Sequence, residues 1–197
     1  MKRQELIGIF SRIPTLETER LILRKMKPTD AEDMYDYARR REVTEYLLWS
    51  PHTNREYTRD YLRYLQNRYA LGEFYDWAVT DRKSGRMIGT CGFTRIDPEH
   101  RCGEIGYVLH PEFCGQGIGT EAAERVLLFG FEVLGLHRIE ARFMKGNEAS
   151  KRVTEKLGMV FEGYRRDAMW VKRQYRTIGV CAILAEEFTK KREKAGC

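Results

Sequence analysis

Glycine occupies three alternate positions, Gly115, Gly117 and Gly119, directly before a stretch with the wide apolar face of a helix. Because glycine loses more backbone freedom on folding than any other residue, such a cluster indicates that something must approach the bare backbone. A glycine-rich loop that opens a helix directs several N–H groups to one point, where the helix dipole adds partial positive charge. The pattern therefore predicts a loop that binds phosphate.

Spacing separates three classes of phosphate-binding loop. A P-loop requires a lysine after its last glycine, and none follows Gly119. A dinucleotide-binding loop requires GxGxxG or GxGxxA. Gly117, Gly119 and Ala122 match this pattern, and Glu140 stands at the interval expected for the ribose-binding acid. Such glycines should follow their strand directly, whereas residues 110–114 intervene here. This alternative predicts a nicotinamide-dinucleotide oxidoreductase.

The third class binds the pyrophosphate of coenzyme A. Here the sequence resembles motif A of the GCN5-related N-acetyltransferase (GNAT) superfamily, whose signature Q/R-x-x-G-x-G/A has Gly117 and Gly119 at its two small positions. Asn147 matches the asparagine that opens the next helix in that superfamily, and residues 156–167 resemble the helix-to-strand passage that follows it. Cys114 stands at the Q/R position, where one branch often has an aromatic residue.

Residues 16–34 resemble the first strand and helix of the RimJ/RimL-type branch, which contains ribosomal-protein N-terminal acetyltransferases. The resemblance extends over residues 16–188. It implies a mixed α/β (α+β) fold, with a mostly antiparallel central sheet of about seven strands and helices on both faces. It also implies an enzyme that moves an acetyl group from acetyl-CoA to a primary amine by direct attack in a ternary complex. The acceptor implied is the N-terminal α-amine of a ribosomal protein, with small-molecule amines and antibiotics as alternatives.

The same resemblance implies how the cofactor is held. Backbone amides of the loop bind the pyrophosphate, and the preceding strand binds the pantetheine arm as an added strand would. The residues so implied are Gly115, Gln116, Gly117, Ile118, Gly119 and Thr120 in the loop, and Val108, Leu109 and His110 in the strand. By resemblance, Asn147 contacts the arm, and Ser150 lies near the sulfur, where it orients or protonates the leaving thiolate. Asn147 is equally suited to a helix N-cap, and the two residues share one helical face.

Glu104 is the candidate for the general base. An amine attacks only when neutral, and an α-amine has a pKa near 8, so a base within hydrogen-bond reach assists the reaction. Glu104 lies on the strand that leads to the loop, where alternation places it on one face with Gly106 and Val108. The alternative is a strand carboxylate paired with one of the many arginines.

Other residues that could titrate are weaker candidates. His110 precedes Pro111 at a strand end, which favours a structural role for its side chain. Thr154 stands where the superfamily frequently carries a tyrosine acid, so that acid is excluded here. Some members of the branch use a carboxylate on the strand near residue 169, but Met169 stands there, and Asp167 is the nearest carboxylate.

Hydrophobic periodicity and turn signals predict the elements that position these residues. Asp30 and Asn54 are predicted N-caps, and Gly158 is predicted to end a short helix. Three antiparallel strands are followed by a helix and a fourth strand, so the passage from the third strand through the helix to the fourth implies one parallel crossover. Strands are predicted over 20–26, 73–81, 86–96, 102–110, 137–143, 159–168 and 176–188, and helices over 30–40, 54–69, from the glycines to about 134, and over 147–158.

Composition bounds the remaining possibilities. The 197 residues, 42% of them hydrophobic and 32% charged, suit one globular domain over 1–197, with a core over about 16–188 and a basic tail at 190–194. The net charge of +6 suits an anionic ligand, and no direct nucleic-acid binding is expected. No apolar run approaches a membrane span, so a cytoplasmic protein is expected.

The five cysteines lack the spacing of a zinc site or a disulfide framework, so no metal is expected and buried free thiols are predicted. They are Cys91, Cys102, Cys114, Cys181 and Cys197. A homodimer is left open. A module that binds acyl-CoA without catalysis is the remaining functional alternative.

Overall fold

A mixed eight-stranded sheet forms the centre of the computed structural model, which describes residues 2–195. The strands lie side by side in the order β1-β2-β3-β4-β5-β6-β8-β7. All neighbours are antiparallel except β5 and β6, which confirms the predicted run of antiparallel strands and the single parallel crossover. In chain order the strands are β1 Leu16–Glu17, β2 Leu21–Arg24, β3 Tyr75–Asp81, β4 Met87–Asp97, β5 Cys102–Leu109, β6 Arg138–Met144, β7 Val160–Val171 and β8 Gln174–Leu184.

Seven α-helices accompany the sheet within the described residues. Those predicted from periodicity are present, and Asn54 caps its helix by accepting a hydrogen bond from the Tyr57 amide at 2.8 Å. Asp30 stands at the predicted N-cap position of α2, but its side chain accepts from the Lys27 amide at 2.7 Å and pairs with the Arg24 guanidinium instead of bonding the first amides of the helix. The helices are α1 Arg3–Ser11, α2 Ala31–Ala38, α3 Arg41–Thr44, α4 Arg55–Ala70, α5 Ile118–Glu132, α6 Glu148–Leu157 and α7 Ala185–Ala195.

Both ends of the chain differ from the sequence prediction. Helix α1 buries Leu6 and Phe10, so the hydrophobic core begins before the predicted limit of residue 16. The predicted strand over 176–188 ends at Leu184, and the predicted basic tail is the end of α7, which buries Phe188 in the core. Each of these helices carries only a few apolar residues, so its burial depends on the surface it packs against.

The helices cover both faces of the sheet. Trp77 on β3 packs between Phe10 of α1 and Phe129 of α5, with ring centroids 5.7 and 5.5 Å away. Successive strand residues point to opposite faces, so Asp76 points to the other face, where α2 contacts β4. No helix of residues 2–195 has the length and apolar content needed to cross a bilayer.

The sheet opens at its centre, between β5 and β6. These parallel strands pair only from Cys102 to Ile105, opposite Arg138 to Ala141. Beyond Ile105, β5 continues along β4 as far as Leu109, while β6 continues along β8 as far as Met144. The two strands therefore diverge from Gly106 onward, and one edge of β5 is left without a partner strand.

Candidate active site

A cavity of about 920 Å³ lies over the gap between β5 and β6. Its walls come from the residues after α2, from α4, from strands β3 to β6, from the glycine loop and from α6. This cavity therefore joins the segments that the sequence analysis singled out. A volume of this size is typical of sites that enclose small molecules and cofactors.

The glycine loop forms one end of this cavity and leads into α5. Gly115 and Gly117 have φ angles of +77° and +80°, a left-handed conformation that favours glycine whatever binds there. Gly119 lies in the first turn of α5 without a positive φ, and no heavy atom would lie within 4 Å of a Cβ added to it. Nothing within the described protein accounts for the missing side chain at Gly119, which leaves open space above the first amides of the helix.

The predicted loop residues separate into two groups. Gly115, Gly117, Gly119 and Thr120 line the cavity. The Gln116 side chain instead donates to the Glu112 carbonyl at 2.6 Å, and Ile118 is buried in the core. Gln116 and Ile118 can therefore contribute backbone groups alone.

The open edge of β5 separates the three backbone positions predicted on this strand. The His110 amide donates to the Ile88 carbonyl at 2.7 Å, and the Val108 carbonyl also points toward β4. Since backbone groups alternate between the two edges of a strand, those of Tyr107 and Leu109 point into the gap. Leu109 keeps its predicted place, whereas Val108 and His110 use their backbone groups within the sheet and Tyr107 takes the second open position.

The His110 side chain is part of the scaffold, as its sequence context indicated. It is 1% exposed, with Nε2 3.1 Å from the Asp36 carboxylate and Nδ1 accepting from the Glu112 amide at 3.2 Å. Both ring nitrogens are thus engaged with protein groups, and the ring holds the turn before the glycine loop against α2.

Glu104 lies at the cavity, as expected for a general base, and also beside an arginine, as the alternative interpretation predicted. It lines the cavity together with Gly106 and Val108, and strand alternation places these three residues on one face of β5. Its Oε2 lies 3.3 Å from Nε of Arg142, yet that buried nitrogen makes no hydrogen bond among the described residues. Arg142 therefore supplies positive charge beside Glu104 without occupying the lone pairs of the carboxylate, which stay available to a ligand.

A tyrosine that the sequence analysis did not single out lies across the gap from α6. The Tyr107 hydroxyl is 2.9 Å from Oγ of Ser150 and 3.1 Å from its carbonyl oxygen. Burial raises the pKa of Tyr107 to about 12, so the phenol stays protonated and acts as a hydrogen-bond donor. Asn147 caps α6 by accepting from the Ser150 amide at 3.1 Å, as its alternative assignment predicted, and it lines the cavity as well.

The remaining candidates lie apart from this group. Asp167 is exposed and does not line the cavity, whereas Met169 does. Thr154 is fully buried, and its hydroxyl donates to the Lys151 carbonyl at 2.7 Å. Glu140 is held by Arg138 and Arg142 on β6, outside the cavity lining.

The cysteines divide by exposure. Cys91 and Cys181 are buried free thiols, as predicted, whereas Cys102 is partly exposed and Cys114 is exposed. Partial burial of the Cys114 thiol raises its pKa, which disfavours the nucleophilic thiolate although the residue lines the cavity. Cys197 lies outside the described residues.

A second acidic residue, Asp76, lies on the cavity wall and was also missed. It is half-buried, and its Oδ1 accepts from the Trp77 amide at 3.0 Å. Burial raises the pKa of Asp76 to about 7, although hydrogen bonds from Thr90 and Trp77 oppose the shift. Within the described residues no arginine, lysine or histidine forms a salt bridge with this carboxylate.

We expect Asp76→Asn to change how stability depends on pH. The folded state holds the Asp76 proton up to a pH of about 7, while the unfolded chain releases it near the ordinary value of 3.8. The free energy of unfolding of the wild type should therefore fall as the pH rises through this window, at no more than about 1.4 kcal/mol per unit, and level off above it. Urea denaturation of both proteins at about pH 4.5 and about pH 8 measures the difference, which should favour the variant more at the higher pH. An equal difference at both pH values would contradict the assignment.

Comparison with known proteins identifies the family. Residues 20–160 match the family described as Acetyltransferase (GNAT) domain. The chain is 33% identical over 174 residues to an uncharacterized N-acetyltransferase, p20, of Bacillus licheniformis, a match that covers 88% of this chain and 98% of that protein. A solved structure of a GNAT-family acetyltransferase from Bacillus anthracis superposes with a TM-score of 0.79 at 29% identity, covering 88% of this chain and 100% of that one.

Two relatives with more specific names differ in their acceptors. One is a putative ribosomal N-acetyltransferase, YdaF, of Bacillus subtilis, 27% identical over 180 residues, or 86% of this chain and 94% of that protein. The other is the spermidine N(1)-acetyltransferase of Escherichia coli, 26% identical over 134 residues, or 64% of this chain and 72% of that protein.

These matches confirm the predicted family, fold class and donor, and they make the dinucleotide-oxidoreductase alternative wrong. The GxGxxA spacing fits both classes of loop, because a coenzyme A loop and a dinucleotide loop both need small residues where backbone amides contact phosphate. The chain belongs to the GNAT family of N-acetyltransferases, enzymes that take their acetyl group from acetyl-CoA.

Proposed function

We propose that this enzyme transfers the acetyl group directly to a primary amine, with both substrates bound at once across the gap between β5 and β6. The gap is the main support for this proposal. It leaves backbone groups of Tyr107 and Leu109 without a partner strand among the described residues, and different side chains lie beside it on the two faces of β5. Glu104 lies on one face of β5, and Tyr107 and Ser150 lie on the other. Proton removal from the amine and stabilisation of the leaving sulfur are thereby separated in space.

The cofactor site is assigned from the residues that fit its parts. The amides from Gly115 to Thr120 bind the pyrophosphate, since the loop and the start of α5 present them beside the open space at Gly119. Tyr107 and Leu109 bind the pantetheine arm with the backbone groups that no strand uses. Bound in this way, acetyl-CoA supplies a thioester carbonyl as the electrophile.

Glu104 accepts the proton that the attacking amine loses, directly or through one water. As the nitrogen–carbon bond forms and the carbon–sulfur bond breaks, Ser150 donates a hydrogen bond to the sulfur, and Tyr107 donates to Ser150 in turn. A phenol with a pKa of about 12 is too weak an acid to protonate a thiolate whose own pKa is near 8.5, so Tyr107 is a positioning residue.

The acceptor that we propose is the N-terminal α-amine of a protein. The resemblance to the RimJ/RimL-type branch and the relative named as a putative ribosomal N-acetyltransferase support this choice. A small amine is the second candidate, supported by the relative named for spermidine. Both need the same chemistry, a neutral primary amine beside Glu104.

Calorimetric titration with acetyl-CoA and, in parallel, with NAD tests the donor site, and release of the coenzyme A thiol tests transfer. We expect binding of acetyl-CoA alone and thiol release that depends on an added amine or N-terminal peptide. Mass spectrometry of the enzyme with acetyl-CoA alone should show no acetyl adduct. A kinetically competent adduct on Cys114 would overturn direct transfer.

We expect Tyr107→Phe to lower kcat roughly tenfold, because it removes one hydrogen bond that orients the hydroxyl facing the sulfur. Ser150→Ala should have a similar effect, and the double variant should be no worse than either single variant, since the two residues act in series. Steady-state kinetics of the three variants give the coupling. Effects on kcat that simply multiply would show that Tyr107 does not act through Ser150.

A further inference from the structure

The far side of the cavity from α6 is both aromatic and acidic. Five of its lining residues, Tyr37, Trp49, His52, Tyr61 and Asp76, are called the aromatic–acidic end here. His52 has its ring centroid 5.3 Å from that of Trp49 and 5.9 Å from that of Tyr61, so the rings form a continuous wall. Burial lowers the pKa of His52, which leaves its ring neutral at neutral pH.

Cavity-lining residues on three neighbouring strands connect this end to the gap. Asp76 on β3 pairs with Gly92 on β4, which pairs with Gly106 on β5. Residues paired across strands share a face, and the Asp76 side chain lies over Gly92, where its Oδ1 would be 2.8 Å from an added Cβ, while the Thr94 methyl group lies over Gly106. Two strand spacings, about 10 Å, separate the backbone of Asp76 from the start of the gap.

Two polar groups at this end, the Asp76 carboxylate and the Tyr37 hydroxyl, lack a cation and a hydrogen-bond partner, respectively, among residues 2–195. The Asp76 carboxylate has no cation beside it among the described residues, and burial, with the nearby charge of Asp76 as a smaller cause, raises the pKa of the Tyr37 phenol. Tyr37 is 1% exposed, and its buried hydroxyl has no hydrogen-bond partner within the described chain. Buried polar groups are rarely left unpaired, so an orphan phenol on a cavity wall beside a carboxylate that has no cationic partner in the described structure indicates a ligand.

The charges of the lining residues are also unevenly placed. Among the charged lining residues, Asp76 lies on β3, whereas the basic residues Arg142, Arg152 and Lys156 lie on β6 and α6, across the gap. A positive ligand group is therefore favoured at the aromatic–acidic end, where ring faces and a carboxylate both attract cations.

We infer that the aromatic–acidic end binds a second cationic group of the acceptor, held by Asp76 and Tyr37, while the amine to be acetylated lies at the gap. This rests on the proposed function and names its substrate class, an amine with a further positive charge roughly 10 Å or less from the attacked nitrogen. Alkyl diamines and polyamines have this form.

The test compares a series of α,ω-diaminoalkanes with the monoamines of equal chain length. We expect kcat/KM of the wild type to favour the best diamine, and Asp76→Asn to lower that preference by about tenfold to a hundredfold, because a hydrogen-bonded ion pair is lost. Tyr37→Phe should lower it less. The monoamine rate and the affinity for acetyl-CoA should stay unchanged. Glu73→Gln is the matched control, since Glu73 lines the same cavity but is exposed and already paired with Arg68.

Equal rates for diamine and monoamine, or a preference that survives Asp76→Asn, would overturn the inference while leaving acetyl transfer intact. If no amine is acetylated, the proposed function fails, and titration of the diamine into the coenzyme A-saturated protein decides the subsite separately. Heat of binding that Asp76→Asn abolishes would support the subsite, and no heat with the wild type would refute it.

Discussion

Replacement of Glu104 by glutamine is expected to lower kcat by about a hundredfold to ten-thousandfold, with little change in the affinity for acetyl-CoA. The amide keeps the size and the position of the side chain but cannot accept the proton from the attacking amine. The loss should deepen as the pH falls below the pKa of the acceptor, since fewer amines are then neutral without assistance. Coenzyme A release at saturating substrate over a range of pH measures the effect, and calorimetry measures the affinity.

The geometry around Glu104 sharpens this expectation. Arg142 Nε lies 3.3 Å from the Glu104 carboxylate but does not hydrogen-bond to it, so a water or an amine can reach the carboxylate from the cavity. Glu99→Gln is a suitable control, because Glu99 is an exposed carboxylate in the turn between β4 and β5. Wild-type rates in Glu104→Gln across the pH range would remove Glu104 as the base.

The second large effect is expected from Gly119→Val, which should weaken acetyl-CoA binding by tenfold or more without destabilising the protein. The added side chain meets no protein atom within 4 Å, and a helix interior favours almost any residue over glycine, by up to about 1 kcal/mol for alanine. The same side chain occupies the space through which a pyrophosphate would reach the first amides of α5. The melting temperature should therefore stay unchanged or rise, whereas the affinity for acetyl-CoA measured by calorimetry should fall.

Gly117→Val provides the contrast. Its φ of +80° strains any residue with a Cβ, so this variant should lose stability as well as affinity. Loss of affinity in Gly119→Val with an unchanged melting temperature would show that glycine is needed there for ligand binding and not for the backbone conformation. Unchanged affinity in a folded Gly119→Val protein would show that the pyrophosphate does not bind at this loop.

Much of the architecture was predictable because it depends on local patterns. The short apolar runs of β3 and β4 between turn residues, the Asn54 cap and the glycine at the end of α6 each act over a few residues, so the sequence displays them directly. The helices at the two ends were missed for the opposite reason. Leu6 and Phe10 of α1 and Phe188 of α7 are apolar positions whose burial depends on the distant surfaces they meet.

The sequence by itself therefore determined the family, the donor, the glycine loop and the face that carries Glu104, since each depends on particular residue types at fixed spacing. Only the tertiary structure decided which backbone groups of β5 are open, because that depends on where β6 stops pairing with it. It also brought Tyr107 to Ser150, 43 residues later, and Asp76 to an aromatic wall from another element. Contacts of this kind follow from strand pairing and helix packing over the whole chain, which no local pattern of residues encodes.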